Sequence, residues 1–177
     1  MRFLPFILLL LIGFTSCKSS KLTTKNKSEP IAKTHRLKKS KKTYNASSES
    51  LKAENIVYYA QQFEGVKYKY GGTTKRGMDC SGLIQTSYKS ESILLPRTTH
   101  DLAKSGDWID LKEVKKGDLL FFATKKNSRK VNHVGIVTNV NNDDVEFIHA
   151  STSKGVINSK LKERYWYFAF VQARRVL

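Results

Sequence analysis

The sequence predicts an α+β domain, in which helices of the first half pack on an antiparallel β-sheet formed by the second half. Between residues 51 and 106, apolar side chains recur at the spacing of helix faces. Between residues 118 and 175, short runs of β-branched and aromatic residues alternate with Gly, Asn, Asp and Lys. Helices followed by strands in this order are typical of α+β domains with antiparallel sheets.

The first two predicted helices flank a glycine-rich loop. The apolar face of the first runs from Leu51 to Phe63, and Gly65 ends it. The loop over residues 66–78 holds Tyr68 and several glycines, which permit positive φ and a close approach of backbone to a ligand. The second helix begins at Cys80, whose spacing from later apolar residues places the thiol on the buried face.

A third, shorter helix precedes the strands. Thr98 or Thr99 can cap it, and Gly106 is expected to end it. Five strands are then predicted, over residues 118–123, 132–140, 145–151, 155–159 and 168–175.

The start of the chain predicts export and anchoring. Arg2 precedes an apolar run over residues 3–14, too short to span a bilayer. Two small residues then precede Cys17, and the order resembles a bacterial lipoprotein signal, in which the cysteine is lipidated. Ordinary secretion with cleavage nearby is the alternative. We predict a signal peptide over residues 1–16 and a lipid anchor at Cys17. Lys18 is unlike the aspartate that retains enterobacterial lipoproteins in the inner membrane, which favours the outer membrane, facing the periplasm.

A basic segment follows the predicted anchor. The chain of 177 residues carries a formal charge of +17, and residues 18–50 hold ten Lys and Arg against two Glu. Residues 17–50 have few large apolar side chains, which predicts a disordered tether before a single domain over residues 51–177. No zinc spacing, heptad or RNA-binding signature accompanies the charge, so we predict no nucleic-acid partner. Such a tether is typical of a solvated linker or of one lying against an anionic surface.

The chemistry-bearing residues are one cysteine and two histidines. If Cys17 is lipidated, Cys80 has no second cysteine to pair with and is a free thiol outside the cytoplasm. Such a thiol is either reactive or, as the alternative, buried and inert. A helix N-terminus and a nearby imidazole both favour a thiolate. We therefore predict Cys80 as nucleophile, His133 as base and His149 as the group that orients it, with the Tyr68 hydroxyl and the Cys80 N–H facing the oxyanion. A packing role for Tyr68 is the alternative.

Strand register decides whether the two histidines can meet. They share a sheet face only if the intervening loop has odd length or a strand carries a bulge. A three-residue loop with Val140 opposite Asp144 would place His149 across from Gly135, with His133 as its diagonal neighbour at roughly 7–8 Å. Zinc is the competing use of these side chains, but no close Cys or His pair supports it, so we predict no metal.

Six motifs in order resemble the NlpC-type cell-wall cysteine peptidases. They are residues 65–72 (GVKYKYGG), 78–83 (MDCSGL), 95–98 (LPRT), 117–122 (GDLLFF), 132–137 (NHVGIV) and 147–151 (FIHAS). The resemblance implies a papain-like fold, no cofactor, and the same catalytic residues, with Asp79 and Ser81 shaping the substrate cleft. His100-Asp101 departs from relatives, which often have a glutamine soon after the Pro-Arg-Thr segment.

The resemblance also implies a substrate and leaves the bond open. It implies hydrolysis of amide bonds in peptidoglycan stem peptides, either the D-Ala–diaminopimelate cross-link or the γ-D-Glu–diaminopimelate link. A non-catalytic wall-associated lipoprotein and a thiol acyltransferase are the alternatives. A monomer in the cell envelope is expected.

Overall fold

The computed structural model describes residues 33–142 and 144–177, with side chains from residue 46 onward. The predicted signal peptide and Cys17 lie outside the described residues. Among the helices that the model describes, none combines the length and the hydrophobicity that crossing a membrane requires.

The first helix starts earlier than predicted. Helix α1 spans Lys33–Gln61, so residues 33–50 of the predicted disordered tether are helical. No Gly or Pro interrupts the sequence between Pro30 and Gly65, which leaves no local signal to end a helix there. Its contacts with the core begin near Ala53, whereas Leu51, predicted on the buried face, is 63% exposed.

Two further helices lead to the sheet. Helix α2 spans Cys80–Lys89, with Leu83, Ile84 and Tyr88 on its buried face. Helix α3 spans only Thr99–Leu102, because turns occupy the residues before Gly106. Of the two predicted caps, Thr98 is the one used, since its hydroxyl accepts from the Asp101 N–H.

Most of the strands form one antiparallel sheet. Its spatial order is β3-β8-β4-β5-β6-β7, and a separate two-stranded hairpin, β1-β2, lies before α2. The strands are β1 Thr73–Thr74, β2 Gly77–Met78, β3 Asp107–Ile109, β4 Leu119–Phe122, β5 His133–Asn141, β6 Asp144–Ser151, β7 Gly155–Lys160 and β8 Phe170–Arg175.

Several elements were not predicted. The β1-β2 hairpin lies in the predicted loop, and a short 3₁₀ helix spans Leu111–Glu113. Strand β3 pairs with β8 at the sheet edge, and helix α4 spans Arg164–Ala169, where the sequence predicts that a strand starts at residue 168. The aromatic residues of α4 have high strand propensity, but Trp166 packs under the sheet as a helical residue.

Apolar side chains cover both faces of the sheet. On one face α1 and α2 pack against β4, β5 and β6, and on the other α4 and the loop residues close a second core. All four residues of β4 are buried, because its alternate side chains enter the two different cores. Helix α2, which carries Cys80, is thus held against the strands that carry the histidines.

The turn between β5 and β6 is tighter than predicted. The expected three-residue loop, with Val140 opposite Asp144, is wrong, because Val140 pairs with Val145. Asn142 lies in the turn with a φ of 53°, a conformation that Asn adopts more readily than most residues. Continued without interruption, this register would place His133 and His149 on opposite faces of the sheet.

A bulge reverses that consequence. The pairing shifts by one residue between Val137 and Asn139, so that Ile136 lies opposite Ile148. Continuing this register places Gly135 opposite His149, with His133 on the same face. The sequence allowed the two histidines to share a sheet face through either an odd loop or a bulged strand. The structure meets the second condition.

Candidate active site

Cys80 is the first residue of α2 and is a free, buried thiol with 7% exposure. Asp79 caps the helix, accepting a hydrogen bond of 2.7 Å from the Gly82 N–H. The cap fixes the direction of the helix start and hence of the Cys80 side chain. The position of the nucleophile thus follows from a local signal, an Asp immediately before an apolar helical repeat.

Arg97 joins the cap to the cleft wall. Its guanidinium donates to both carboxylate oxygens of Asp79, at 2.9 and 2.7 Å, and to the Ser81 hydroxyl at 2.7 Å. The Gly71 N–H donates to the same carboxylate. Burial opposes ionisation of Asp79, but the hydrogen bonds from Arg97 and from the backbone hold the pKa of its carboxyl below the ordinary value. Asp79 therefore stays charged and paired.

Hydrogen-bond donors surround the Cys80 sulfur. The Thr99 Oγ1 lies 3.6 Å from Sγ, and backbone groups of Val134 and Ser81 also bond to it. Burial raises the pKa of the thiol, the charge of Asp79 adds to that rise, and these hydrogen bonds oppose it. Because Val134 follows His133, the contact brings the start of β5 beside the nucleophile.

The two histidines form a hydrogen-bonded pair. His133 Nε2 lies 3.0 Å from His149 Nδ1, so Nδ1 is the His133 nitrogen that this contact leaves open. His149 Nε2 lies 3.1 Å from the Ser159 Oγ. Burial lowers the pKa of His133 to about 4. Burial and then the charge of His133 lower the pKa of His149 to about 3, so both rings are neutral at pH 7.

Trp166 forms a wall behind the pair. Its ring stacks on His133 at a centroid distance of 5.4 Å and meets His149 edge-on at 4.6 Å. The Asn132 side chain accepts a hydrogen bond from the Thr124 N–H and donates one to the Thr124 hydroxyl. These two hydrogen bonds fix the position of the loop just before His133. These contacts restrict rotation of both imidazole rings.

A cleft of about 320 Å³ opens in front of the thiol. Tyr68 reaches it, and burial together with the nearby Cys80 and Asp79 raises the pKa of its hydroxyl, which is therefore a protonated donor at neutral pH. The predicted cleft residues Asp79 and Ser81 also line it. The remaining lining residues are Tyr70, Gly71, Arg97, Thr98, Thr99 and Asn132.

The structure thus places four of the predicted residues, Tyr68, Asp79, Cys80 and Ser81, around one cleft. It pairs the other two, His133 and His149, on strands β5 and β6. Among the described residues, no group of three or more His, Cys, Asp or Glu could hold a metal ion. Sequence reasoning missed the roles of Thr99, Ser159 and Trp166, whose contacts depend on tertiary packing. Arg97 lies in the motif over residues 95–98. A charged residue directly after Pro96 was the sequence feature that could have marked it as a site residue.

Fold and site together define a cysteine peptidase: a capped helix presents a thiol, and ordered histidines stand on the facing sheet. The chain belongs to the NlpC/P60 family, which it matches over residues 65–175.

Comparison with known proteins agrees with this assignment. The chain is 45% identical over 117 residues to the probable endopeptidase NlpC of Escherichia coli K12, covering 66% of this chain and 73% of that protein. It is 38% identical over 128 residues to the murein DD-endopeptidase MepS/murein LD-carboxypeptidase of the same strain, covering 72% and 64%. A crystal structure of an NlpC/P60 family protein from Bacillus cereus superposes with a TM-score of 0.64 at 30% identity, covering 71% and 40%. The protein is thus a member of a family of peptidoglycan endopeptidases.

Proposed function

We propose that this protein hydrolyses amide bonds of peptidoglycan stem peptides, with Cys80 as nucleophile, His133 as base and His149 as the residue that orients it. The observation that carries the proposal is the 3.0 Å contact between His133 Nε2 and His149 Nδ1, on the strand whose start bonds to the Cys80 sulfur. It leaves one nitrogen of His133 for the thiol proton.

The reaction follows from this geometry. His133 Nδ1 accepts the thiol proton as Sγ attacks the amide carbon, and the carbonyl oxygen becomes an oxyanion. The Tyr68 hydroxyl and the Cys80 N–H donate to that oxyanion. The protonated His133 then gives its proton to the leaving amine, which yields a thioester on Cys80. Water, deprotonated by His133, hydrolyses the thioester and restores the thiol.

Ser81 and Asp79 shape the wall that faces the substrate. The Asp79 carboxylate already accepts hydrogen bonds from Arg97, Gly71 and Gly82, so it acts chiefly by holding Arg97 in place. The cleft consequently presents a guanidinium and hydroxyl groups, which suit the carboxylates and amides of stem peptides. The cross-link and the γ-D-Glu–diaminopimelate link both meet this description.

The enzyme is proposed to act in the cell envelope, as a monomer anchored by a lipid at Cys17 on the periplasmic face of the outer membrane. The lipoprotein-like order of residues 1–17 supports the anchor. Anchoring concentrates an enzyme beside its polymer, which reduces the need for a wall-binding domain. Replacement of Cys17 by Ser should release the protein into the soluble envelope fraction.

Replacement of the nucleophile tests the activity. Purified wild-type protein should release new muropeptides from sacculi, and Cys80→Ala should lower the rate by at least about 10³-fold while its thermal unfolding midpoint stays close to that of wild type. Mass spectrometry of products from a defined cross-linked muropeptide identifies the bond. Full activity in Cys80→Ala would refute the assignment.

The same preparations separate the two alternatives. A non-catalytic wall lipoprotein would give no products from sacculi. A thiol acyltransferase would give products that carry an amine acceptor in place of water.

A further inference from the structure

We propose that Ser159 is a positioning residue of the catalytic site: it holds His149 in the tautomer whose proton is on Nε2 and thereby keeps His133 Nδ1 unprotonated toward Cys80. The inference rests on the proposed function of His133 as base. It adds a fourth member to the site, carried by β7.

The three side chains form a line across three neighbouring strands. His149 pairs with Ile157 across β6 and β7, so Ser159 is the diagonal neighbour of His149 on the same sheet face. Its Oγ lies 3.1 Å from His149 Nε2, while His149 Nδ1 lies 3.0 Å from His133 Nε2. Each nitrogen of the fully buried His149 ring therefore has one polar neighbour.

Two proton arrangements satisfy this line. In the first, His149 Nε2–H donates to Ser159, and His149 Nδ1 accepts from His133 Nε2–H. The neutral His133 then has a free lone pair on Nδ1, which can take the thiol proton. In the second, Ser159 O–H donates to His149 Nε2, and His149 Nδ1–H donates to His133 Nε2. The neutral His133 must then carry its proton on Nδ1 and cannot act as base.

The reaction itself selects the first arrangement. Once His133 has taken the thiol proton, both of its nitrogens carry N–H, so His149 Nδ1 has to accept and His149 Nε2 has to donate. Ser159 is the acceptor for that donor. The rings of Phe147 and Trp166 pack around His149 at 5.1 and 4.6 Å and provide an apolar setting in which an unpaired N–H would be unfavourable.

Replacement of the hydroxyl should therefore slow the chemical step. We expect Ser159→Ala to lower kcat on a defined muropeptide roughly ten-fold with little change in KM, and Ser159→Thr, which keeps the hydroxyl, to restore most of the loss. Ser87→Ala is the matched control, because Ser87 is also buried and its Oγ is without a hydrogen-bond partner in the part of the chain that the structure describes.

Imidazole ¹⁵N NMR tests the tautomer directly. In wild-type protein, His149 should carry its proton on Nε2, and Ser159→Ala should shift part of the population to Nδ1 while Ser159→Thr does not. A wild-type His149 protonated on Nδ1 would overturn the proposal without any variant. So would a folded Ser159→Ala protein with unchanged kcat, or a folded Ser159→Thr protein as slow as Ser159→Ala.

This design separates failure of the inference from failure of the proposed function. If wild-type protein releases no muropeptide, the proposed function fails, whereas the tautomer of His149 is still read from the NMR spectrum. If wild-type protein is active and Cys80→Ala is not, an unchanged Ser159→Ala rate counts against Ser159 alone.

Discussion

At the scale of single residues, the site balances burial against hydrogen bonding. Burial favours the neutral forms of both the Cys80 thiol and the His133 imidazole. The hydrogen bonds to the sulfur oppose this preference for Cys80. In the proposed mechanism, the thiolate–imidazolium pair therefore forms only as the proton is transferred, with the hydrogen-bond partners of the sulfur already in place.

Thr99 should be the side chain that matters most for the thiolate, because its hydroxyl lies 3.6 Å from Sγ. Thr99→Val keeps the shape and removes the donor, so the pKa of Cys80 should rise further and hydrolysis should slow roughly ten-fold. The pH dependence of iodoacetamide alkylation measures the pKa, and its midpoint should move to higher pH. Thr99→Ser keeps the donor and should leave the midpoint unchanged. An unchanged midpoint in Thr99→Val would contradict the role of the hydroxyl.

At the scale of elements, the site depends on one helix start and three adjacent strands. The cap by Asp79 fixes Cys80, and the bulge in β5 turns His133 to the face of His149. Gly135 sits where β5 passes His149, and a Cβ there would lie 2.6 Å from a Phe147 ring carbon and 3.3 Å from the His149 Cβ. Glycine is therefore required by close packing at this position.

Gly135→Ala should both destabilise the domain and disturb the histidine pair. The added methyl group meets the Phe147 ring and the Ile148 carbonyl oxygen, so we expect a loss of about 1–3 kcal/mol in the free energy of unfolding. Hydrolysis should slow because His149 must shift.

Gly65→Ala is the control, since a Cβ there has open space and the strain comes only from its φ of 79°. It should lose stability, by about 1 kcal/mol, without losing kcat. Urea unfolding and muropeptide kinetics measure both, and equal kcat in the two variants would contradict the argument.

The sequence predicts the elements better than their contacts. Cys80 and the two histidines could be found because residue type and local periodicity mark them. The turn before β6 was misjudged, because loop length and bulges are set by strand pairing and not by local preference. Ser159 carries no signal of its own, since only the register of β7 against β6 brings it to His149. Helix α4 was missed because tertiary packing of Trp166 overrides strand propensity.

At the scale of the whole molecule, the two halves of the fold each contribute part of the site. Helices α2 and α3 carry Cys80, the proposed nucleophile, and Thr99, and the sheet carries the histidines and Val134. The core that includes Leu83, Tyr88 and Phe121 holds α2 against the sheet. Helices α1 and α2 pack on one face of the sheet and α4 packs on the other, so a change in packing in either core reaches the strands that carry the histidines. The buried neutral His149, which packs against Phe147 and Trp166 of the second core, also links the fold to pH.

Stability should fall as the pH drops below neutral, because the unfolded chain binds a proton that the folded chain refuses. Burial holds the pKa of His149 at about 3 in the folded state, against an ordinary value of 6.5. The stability that neutral His149 confers is therefore complete above pH 6.5 and is lost as the pH falls from 6.5 towards 3. Between pH 7 and pH 5 this residue alone should account for about 2 kcal/mol of the free energy of unfolding.

His133, with its pKa lowered to about 4, acts in the same direction, so the decline for the whole domain should be larger than the share of His149. The variant His149→Gln, of similar size and without a titrating group, isolates that share. Urea unfolding at pH 7 and pH 5 should show a stability difference in His149→Gln that is smaller than in wild type by about 2 kcal/mol. Equal pH dependence in the two proteins would contradict this prediction, because it would mean that His149 is protonated as readily in the folded chain as in the unfolded one. We expect a difference because His149 is fully buried and packs against Trp166.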